Sequence, residues 1–152
     1  KDTASILEKD FSSHCIDRSI GFIRDKMNDF FQKTYPKYKV SVKQEKNSVT
    51  FFYEDESIGI EAPCTMASGC EKNLLAIANR IALSCIQDLG ILILDEIDAE
   101  MSEQNSYNLF KQLIDQQNIE QFFIITHCEG TKEMFESTNN CEMFEIKEGE
   151  LV

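Results

Sequence analysis

No apolar run in these 152 residues approaches the roughly 18 that a membrane-spanning helix needs. The opening stretch, Lys-Asp-Thr-Ala-Ser-Ile-Leu-Glu-Lys-Asp, has no apolar core of a signal peptide. Both absences lead to the expectation of an intracellular protein with no membrane partner. The six cysteines (Cys15, Cys64, Cys70, Cys85, Cys128, Cys141) never stand as Cys-x-x-Cys. Disulfide scaffolds and zinc sites announce themselves by tighter spacing, so free thiols in a reducing compartment are expected. There are two histidines. His14-Cys15 and His127-Cys128 lack the further ligands that would complete a zinc site. Positive charge is scarce: 15 Lys and Arg face 27 Asp and Glu, a net charge of −12. Residues 1–50 carry ten Lys and Arg against seven Asp and Glu, whereas residues 51–152 carry five against twenty. A surface this acidic repels phosphate backbones at long range, so if the whole protein binds DNA, this part is a poor contact surface and DNA is expected to be met through a partner. The basic residues near the N-terminus (Arg18, Arg24, Lys26, Lys33, Lys37, Lys39, Lys43, Lys46) read as a solvated helix and hairpin face. No internal repeat or low-complexity segment occurs.

What is present centres on Leu89 to Glu96. The apolar residues Ile91 to Leu94 end abruptly in Asp95 and Glu96. An unbroken aliphatic run predicts a strand buried on both faces, as in the middle of a parallel sheet. Ligands bind at the carboxyl ends of such strands. An acid there can hold a hydrated Mg²⁺, and the next can orient and deprotonate a water. A buried strand ending in solvated acids is the plainer alternative.

Along the chain, residues 3–34 read as one long helix. Ile16, Ile20, Ile23, Met27 and Phe30 alternate in steps of four and three, the seam of a coiled coil. The helix stops at Tyr35-Pro36. Tyr38–Lys43, Val49–Tyr53 and Ile58–Ile60 read as three antiparallel strands, with a turn at Glu45-Lys46-Asn47 and Ala62-Pro63 closing the element. Ser68, with Glu71 three residues on, predicts a capped helix whose apolar face is Leu74, Ile77, Ala78, Ile81 and Ala82. A Ser-Gly helix start also suits a phosphate, through free N–H groups and the positive end of the dipole. Helical spacing returns over Glu103–Gln117, followed by the apolar strand Phe122–Thr126 and then His127. Strand, helix, strand at this spacing is a βαβ unit with parallel pairing, which brings His127 to the sheet edge that holds Asp95 and Glu96. A helix over Thr131–Ser137 and a hairpin over Met143–Val152, turning at Glu148-Gly149, complete the chain.

The order of a Ser-Gly helix start, a strand ending in Asp-Glu, an acidic loop and a strand ending in His resembles the C-terminal half of an ABC-type ATPase head. The branch is the one that includes SMC proteins and the SbcC-like ATPases of DNA double-strand-break repair, phage recombination nuclease subunits among them. Ala67-Ser-Gly-Cys-Glu-Lys72 resembles the signature motif, Leu-Ser-Gly-Gly-Glu-Lys in the family. Ile91–Glu96 resembles the Walker B strand, Ile97-Asp98-Ala99-Glu100-Met101-Ser102 the D-loop, and Ile124-Ile-Thr-His127 the switch-histidine strand. The implied fold is α/β: a mostly parallel sheet with flanking helices, preceded by a coiled-coil stump and a small antiparallel β element. The implied organisation is a single lobe. Residues 1–36 form the coiled-coil end, 37–62 the β element, and 63–152 the signature, Walker B, D-loop and switch-histidine part.

The resemblance also implies roles. Asp95 holds Mg²⁺ through water, Glu96 polarises the attacking water, and His127 contacts the γ-phosphate. Ser68, Gly69, Cys70, Glu71 and Ser102 meet ATP bound to a second head, so that ATP joins two copies. Three positions depart from the family: Ala67 replaces Leu, Cys70 replaces the second Gly, and Ser102 stands where Asp is usual. A larger departure is the absence of Gly-x-x-x-x-Gly-Lys-Ser/Thr, the loop that cradles β- and γ-phosphates. The family carries it in an N-terminal lobe, which becomes an expected partner. The function implied is half of an ATP-hydrolysing head in double-strand-break repair or recombination, controlling a partner nuclease. An SMC-type chromosome-organising head with a kleisin partner is the alternative. From other classes come a Mg²⁺-dependent nuclease using Asp95, Glu96, Asp98 and Glu100, and a non-catalytic interaction module.

Overall fold

The computed structural model describes residues 2–45, 48–116, 119–139, 141–147 and 150–151. Its first element is a 33-residue helix, α1 (Asp2–Thr34). The predicted seam is buried only near its end. Met27, Phe30 and Phe31 lie in the core and Ile23 packs against it, whereas Phe11, Ile16 and Phe22 are exposed. The helix stops before Pro36, because proline disfavours helical backbone at the residue preceding it.

Three antiparallel strands follow in spatial order: β1 (Tyr38–Glu45), β2 (Ser48–Asp55) and β3 (Ile60–Pro63). The register pairs Tyr38 with Asp55 and Glu45 with Ser48. The expected turn residues Lys46 and Asn47 lie outside the described residues. The third strand begins later than the sequence suggested. Ile58 falls in a turn, where Gly59 takes a positive φ of 64° that glycine adopts without a Cβ penalty. Asp55 organises that turn by accepting from the Ser57 amide at 3.0 Å, and Lys37 pairs with its other oxygen at 2.9 Å. Pro63 closes the sheet as its last residue, at the end of the edge strand β3, where proline is tolerated.

Helix α2 (Gly69–Gln87) buries Leu74, Ile77, Ala78, Ile81 and Ala82, the face expected of it. It ends at Asp88, which adopts left-handed backbone with φ 51°. Strand β4 (Ile91–Asp95), helix α3 (Glu103–Ile114), strand β5 (Gln121–Ile125) and helix α4 (Glu129–Glu136) form the βαβα segment. β4 and β5 are parallel, with Ile91 opposite Gln121 and Asp95 opposite Ile125. The C-terminal hairpin joins β6 (Ile146–Lys147) to β7 (Glu150–Leu151); its expected turn at Glu148-Gly149 lies outside the described residues.

The expected parallel sheet with flanking helices is present, and among the described residues it consists of the pair β4–β5. One expectation about it needs correction: β4 is not buried on both faces. Leu92 and Leu94 point inward, whereas Ile91 and Ile93 on β4 and Phe123 and Ile125 on β5 are about half exposed or more, Ile93 reaching 61%. The run is apolar on both sides as predicted, but only one side meets the core. That core joins Phe31 and Val40 to Leu74, Ile77, Leu94, Leu109, Phe110 and Leu113, each fully buried. Each such side chain contributes about 1.5–3 kcal/mol on leaving water.

Candidate functional site

The parallel register puts the ends of β4 and β5 side by side, and the acids and the histidine emerge there together. Asp95 ends β4 with its carboxylate exposed. The Glu96 amide donates to the Ile125 carbonyl at 2.9 Å, which extends the pairing one residue past the strand. Glu96 then turns sharply, with φ 48°. Left-handed backbone at a non-glycine residue costs on the order of 1 kcal/mol, and such strain concentrates at functional positions. The turn aims its side chain across the sheet edge, where Oε1 lies 3.1 Å from His127 Nε2. Asp95, Glu96 and His127 therefore share one edge.

The turn over residues 97–100 links this edge to α3. Ile97 and Asp98 are buried. Asp98 Oδ2 accepts from Thr126 Oγ1 at 2.7 Å and from Thr131 Oγ1 at 2.6 Å, while its Oδ1 is buried with no hydrogen-bond partner. Ser102 caps α3, its hydroxyl accepting from the Asn105 amide at 3.4 Å.

The start of α2 sits against the same turn. Asn73 Nδ2 donates to the Ile97 carbonyl at 3.3 Å. The carboxylate of Glu100, the far end of a flexible side chain, lies over Gly69 at the start of α2. Ser68 is exposed, and its amide and hydroxyl both donate to Glu71 Oε2 at 2.8 Å. Tyr38 and Tyr53 donate to the same carboxylate at 3.1 and 3.3 Å. Burial opposes the charge on Glu71, but the bonds from Ser68, Tyr38 and Tyr53 outweigh it and hold the pKa below the usual glutamate value. Burial, with Glu71 and Glu100 nearby, pushes the Cys70 thiol up, so this side chain is a thiol and not a thiolate at neutral pH.

The sequence reading did not single out Thr126, Thr131, Tyr38, Tyr53 or Asn73 as parts of the site. A threonine directly before His127 was the available signal. The tyrosines carried none, since their reach to Glu71 depends on how the antiparallel sheet packs on α2. Asp98 was weighed as a metal-binding acid. Its interior position on two threonine hydroxyls separates it from the exposed Asp95 and Glu96. Among the described residues no group of three or more His, Cys, Asp or Glu side chains is placed to hold a metal ion. The exposed carboxylate of Asp95 still suits Mg²⁺ as a single hard ligand, because that ion keeps several waters and takes its remaining ligands from substrate phosphates.

No protein-family model matches the chain. It is 38% identical over 69 residues to the chromosome partition protein Smc of Fusobacterium nucleatum, a stretch that is 45% of this chain and 6% of Smc. The chain therefore spans a small part of that relative. Among solved structures it superposes on one described under ATP-driven dimerization and DNA stimulated activation of SMC ATPases. The TM-score is 0.75 at 17% identity, over 91% of this chain and 86% of that one. The Smc head domain with a coiled coil and joint from Pyrococcus yayanosii gives 0.71 at 19% identity, over 86% and 26%. The Smc head domain of Pyrococcus furiosus, with an extended coiled coil and bound to the C-terminal domain of ScpA, gives 0.66 at 20% identity, over 77% and 31%. In fold, this chain is similar to the C-terminal part of SMC head domains.

Proposed function

We propose that this chain is the C-terminal half of an ATP-hydrolysing head, active only when joined by an N-terminal lobe that carries the phosphate-cradling loop. One observation carries the reading: Glu96 and His127 meet at 3.1 Å where two adjacent parallel strands end. Glu96 orients the attacking water and accepts its proton, and His127 hydrogen-bonds the γ-phosphate. Asp95 would hold Mg²⁺ through water, and the ion would neutralise charge on the phosphates. Ser68, Gly69, Cys70, Glu71 and Ser102 belong to a second surface, which meets ATP held by another copy of the head.

Two features support the missing lobe. The chain has no phosphate-binding loop of its own. The outer face of β4–β5 presents Ile91, Ile93, Phe123 and Ile125, an apolar surface that an added layer would cover. The test is to combine the chain with its N-terminal lobe, add ATP, and measure hydrolysis and assembly size. Turnover is expected in the combination and not in the chain alone. Glu96→Gln should lower kcat at least about 100-fold and trap the ATP-joined dimer. Turnover by the isolated, nuclease-free chain, or none in the combination, would overturn the reading.

Within that reading the chain serves either chromosome organisation or double-strand-break repair. The shared stretch with Smc favours the first, with a ScpA-like partner on the head. The compact antiparallel sheet before the signature helix favours the second, with a partner nuclease that the head controls. Co-purification with one or the other partner separates them.

A further inference from the structure

His127 is poorly held by its own side chain. The imidazole is 81% exposed, and Glu96 is the contact that fixes it. Its position therefore depends on the backbone around it, and that backbone is tied at both ends to one buried carboxylate. Asp98, 1% exposed, accepts from Thr126 on one side of His127 and from Thr131 on the other, both through Oδ2. Thr126 Oγ1 in turn accepts from the Cys128 amide at 3.0 Å, closing the loop directly around the histidine. Asp98 belongs to the turn that starts at Glu96, whose carbonyl accepts from the Ala99 amide at 3.3 Å. Glu96, Asp98, Thr126 and His127 thus form a closed circuit, from the acid through the turn and the threonine to the imidazole and back.

The second oxygen of Asp98 sharpens the point. Oδ1 is buried without a donor, an arrangement that folded proteins avoid because the oxygen has given up water for nothing. Packing alone would be served better by an apolar residue at this place. A buried polar group kept against that cost, beside an exposed functional pair, marks a position held for geometry.

We propose that Asp98 is a positioning residue: through Thr126 and Thr131 it fixes the 126–131 segment so that His127 stays within hydrogen-bond reach of Glu96. It touches neither nucleotide nor water, and its action on turnover passes through His127. This inference rests on the ATPase reading above for its effect on rate, but not for its effect on structure.

In the head completed with its N-terminal lobe, at saturating ATP, Asp98→Ala should lower kcat roughly 10- to 100-fold, with KM for ATP changed no more than about two-fold. Asp98→Asn should keep kcat within about three-fold of the parent, since its amide oxygen can accept both hydroxyls. In a His127→Ala background, Asp98→Ala should bring no further loss. Full activity in Asp98→Ala, or a loss that adds to that of His127→Ala, would overturn the proposal. If Asp98→Ala does not fold, Thr131→Val removes one of the two bonds at nearly constant shape and is read in the same cycle. Should the completed parent head fail to hydrolyse ATP, the ATPase reading falls and the clamp is judged on this chain alone. Amide exchange over residues 126–131 should then be about ten-fold faster in Asp98→Ala, or in Thr131→Val, than in Asp98→Asn. Equal exchange would end the proposal.

Discussion

At position 71 one carboxylate serves the helix start and the neighbouring sheet together. Glu71 accepts from the Ser68 amide and hydroxyl, closing a capping interaction, and from Tyr38 and Tyr53. All four donors favour the charged form, so its pKa lies below the ordinary value. A carboxylate with a depressed folded-state pKa adds stability that is complete above the ordinary range and disappears as pH falls through the lowered value. Glu71→Gln keeps the capping geometry and removes the charge. Thermal melts should show the variant less stable than the parent above about pH 5, with the gap closing toward about pH 3. A constant gap across that range would mean that the charge contributes nothing. Ser102 has a local role: its hydroxyl caps α3. Ser102→Ala should cost about 0.5–1 kcal/mol in urea unfolding, at the low end for a cap because the bond is long, and Ser102→Asp should restore it. Ser68, Asp95, Glu96 and His127 were legible as site candidates from residue type and spacing, since strand ends and a capped helix are local. The positive φ of Glu96 was not legible, because glutamate has no preference for left-handed backbone and only the surrounding turn imposes it.

Elements with a strong hydrophobic period were recovered with nearly correct limits: α1, α2, α3 and the pair β4–β5. Errors gathered at their ends. β3 slipped toward the C-terminus because Gly59 extends the turn, and α4 starts at Glu129 rather than Thr131. Terminal positions depend on caps and turns that a period does not encode. The α3–α4 contact is the clearest packing unit of the C-terminal part. Phe110 is fully buried and meets Phe135 edge-on, with ring centroids 5.3 Å apart. Removing that ring leaves a cavity between two helices that cannot close fully. Phe110→Ala should destabilise the chain by about 3–5 kcal/mol, read as a fall in the denaturation midpoint at unchanged slope.

For the whole molecule the governing feature is a sheet with one covered face. Ile91, Ile93, Phe123 and Ile125 form a continuous apolar surface across β4 and β5. Such a surface favours association as long as it is uncovered. Ile93→Lys should leave the fold nearly as stable, within about 1 kcal/mol, because the residue is 61% exposed. Sedimentation should show less self-association for the variant and no stable complex with the N-terminal lobe. Retained assembly would place the lobe contact elsewhere. The acidic charge beyond residue 50 acts at the same scale: it opposes close approach to DNA and weakens as salt rises.

The amino-acid order alone determined the element types, the parallel crossover and the strand ends that carry Asp95 and His127. These follow from short-range periodicity and from the handedness of a βαβ connection. It did not determine which face of an apolar strand would be covered, because a run that is hydrophobic on both sides carries no sign of how many layers it has. Nor did it reveal that Asp98 turns inward while Asp95 and Glu96 turn outward. Adjacent acids look alike in a sequence. The hydroxyls of Thr126 and Thr131, far along the chain, meet Asp98 only through tertiary structure: Thr126 through the pairing of β5 with β4, and Thr131 through the packing of α4 beside α3.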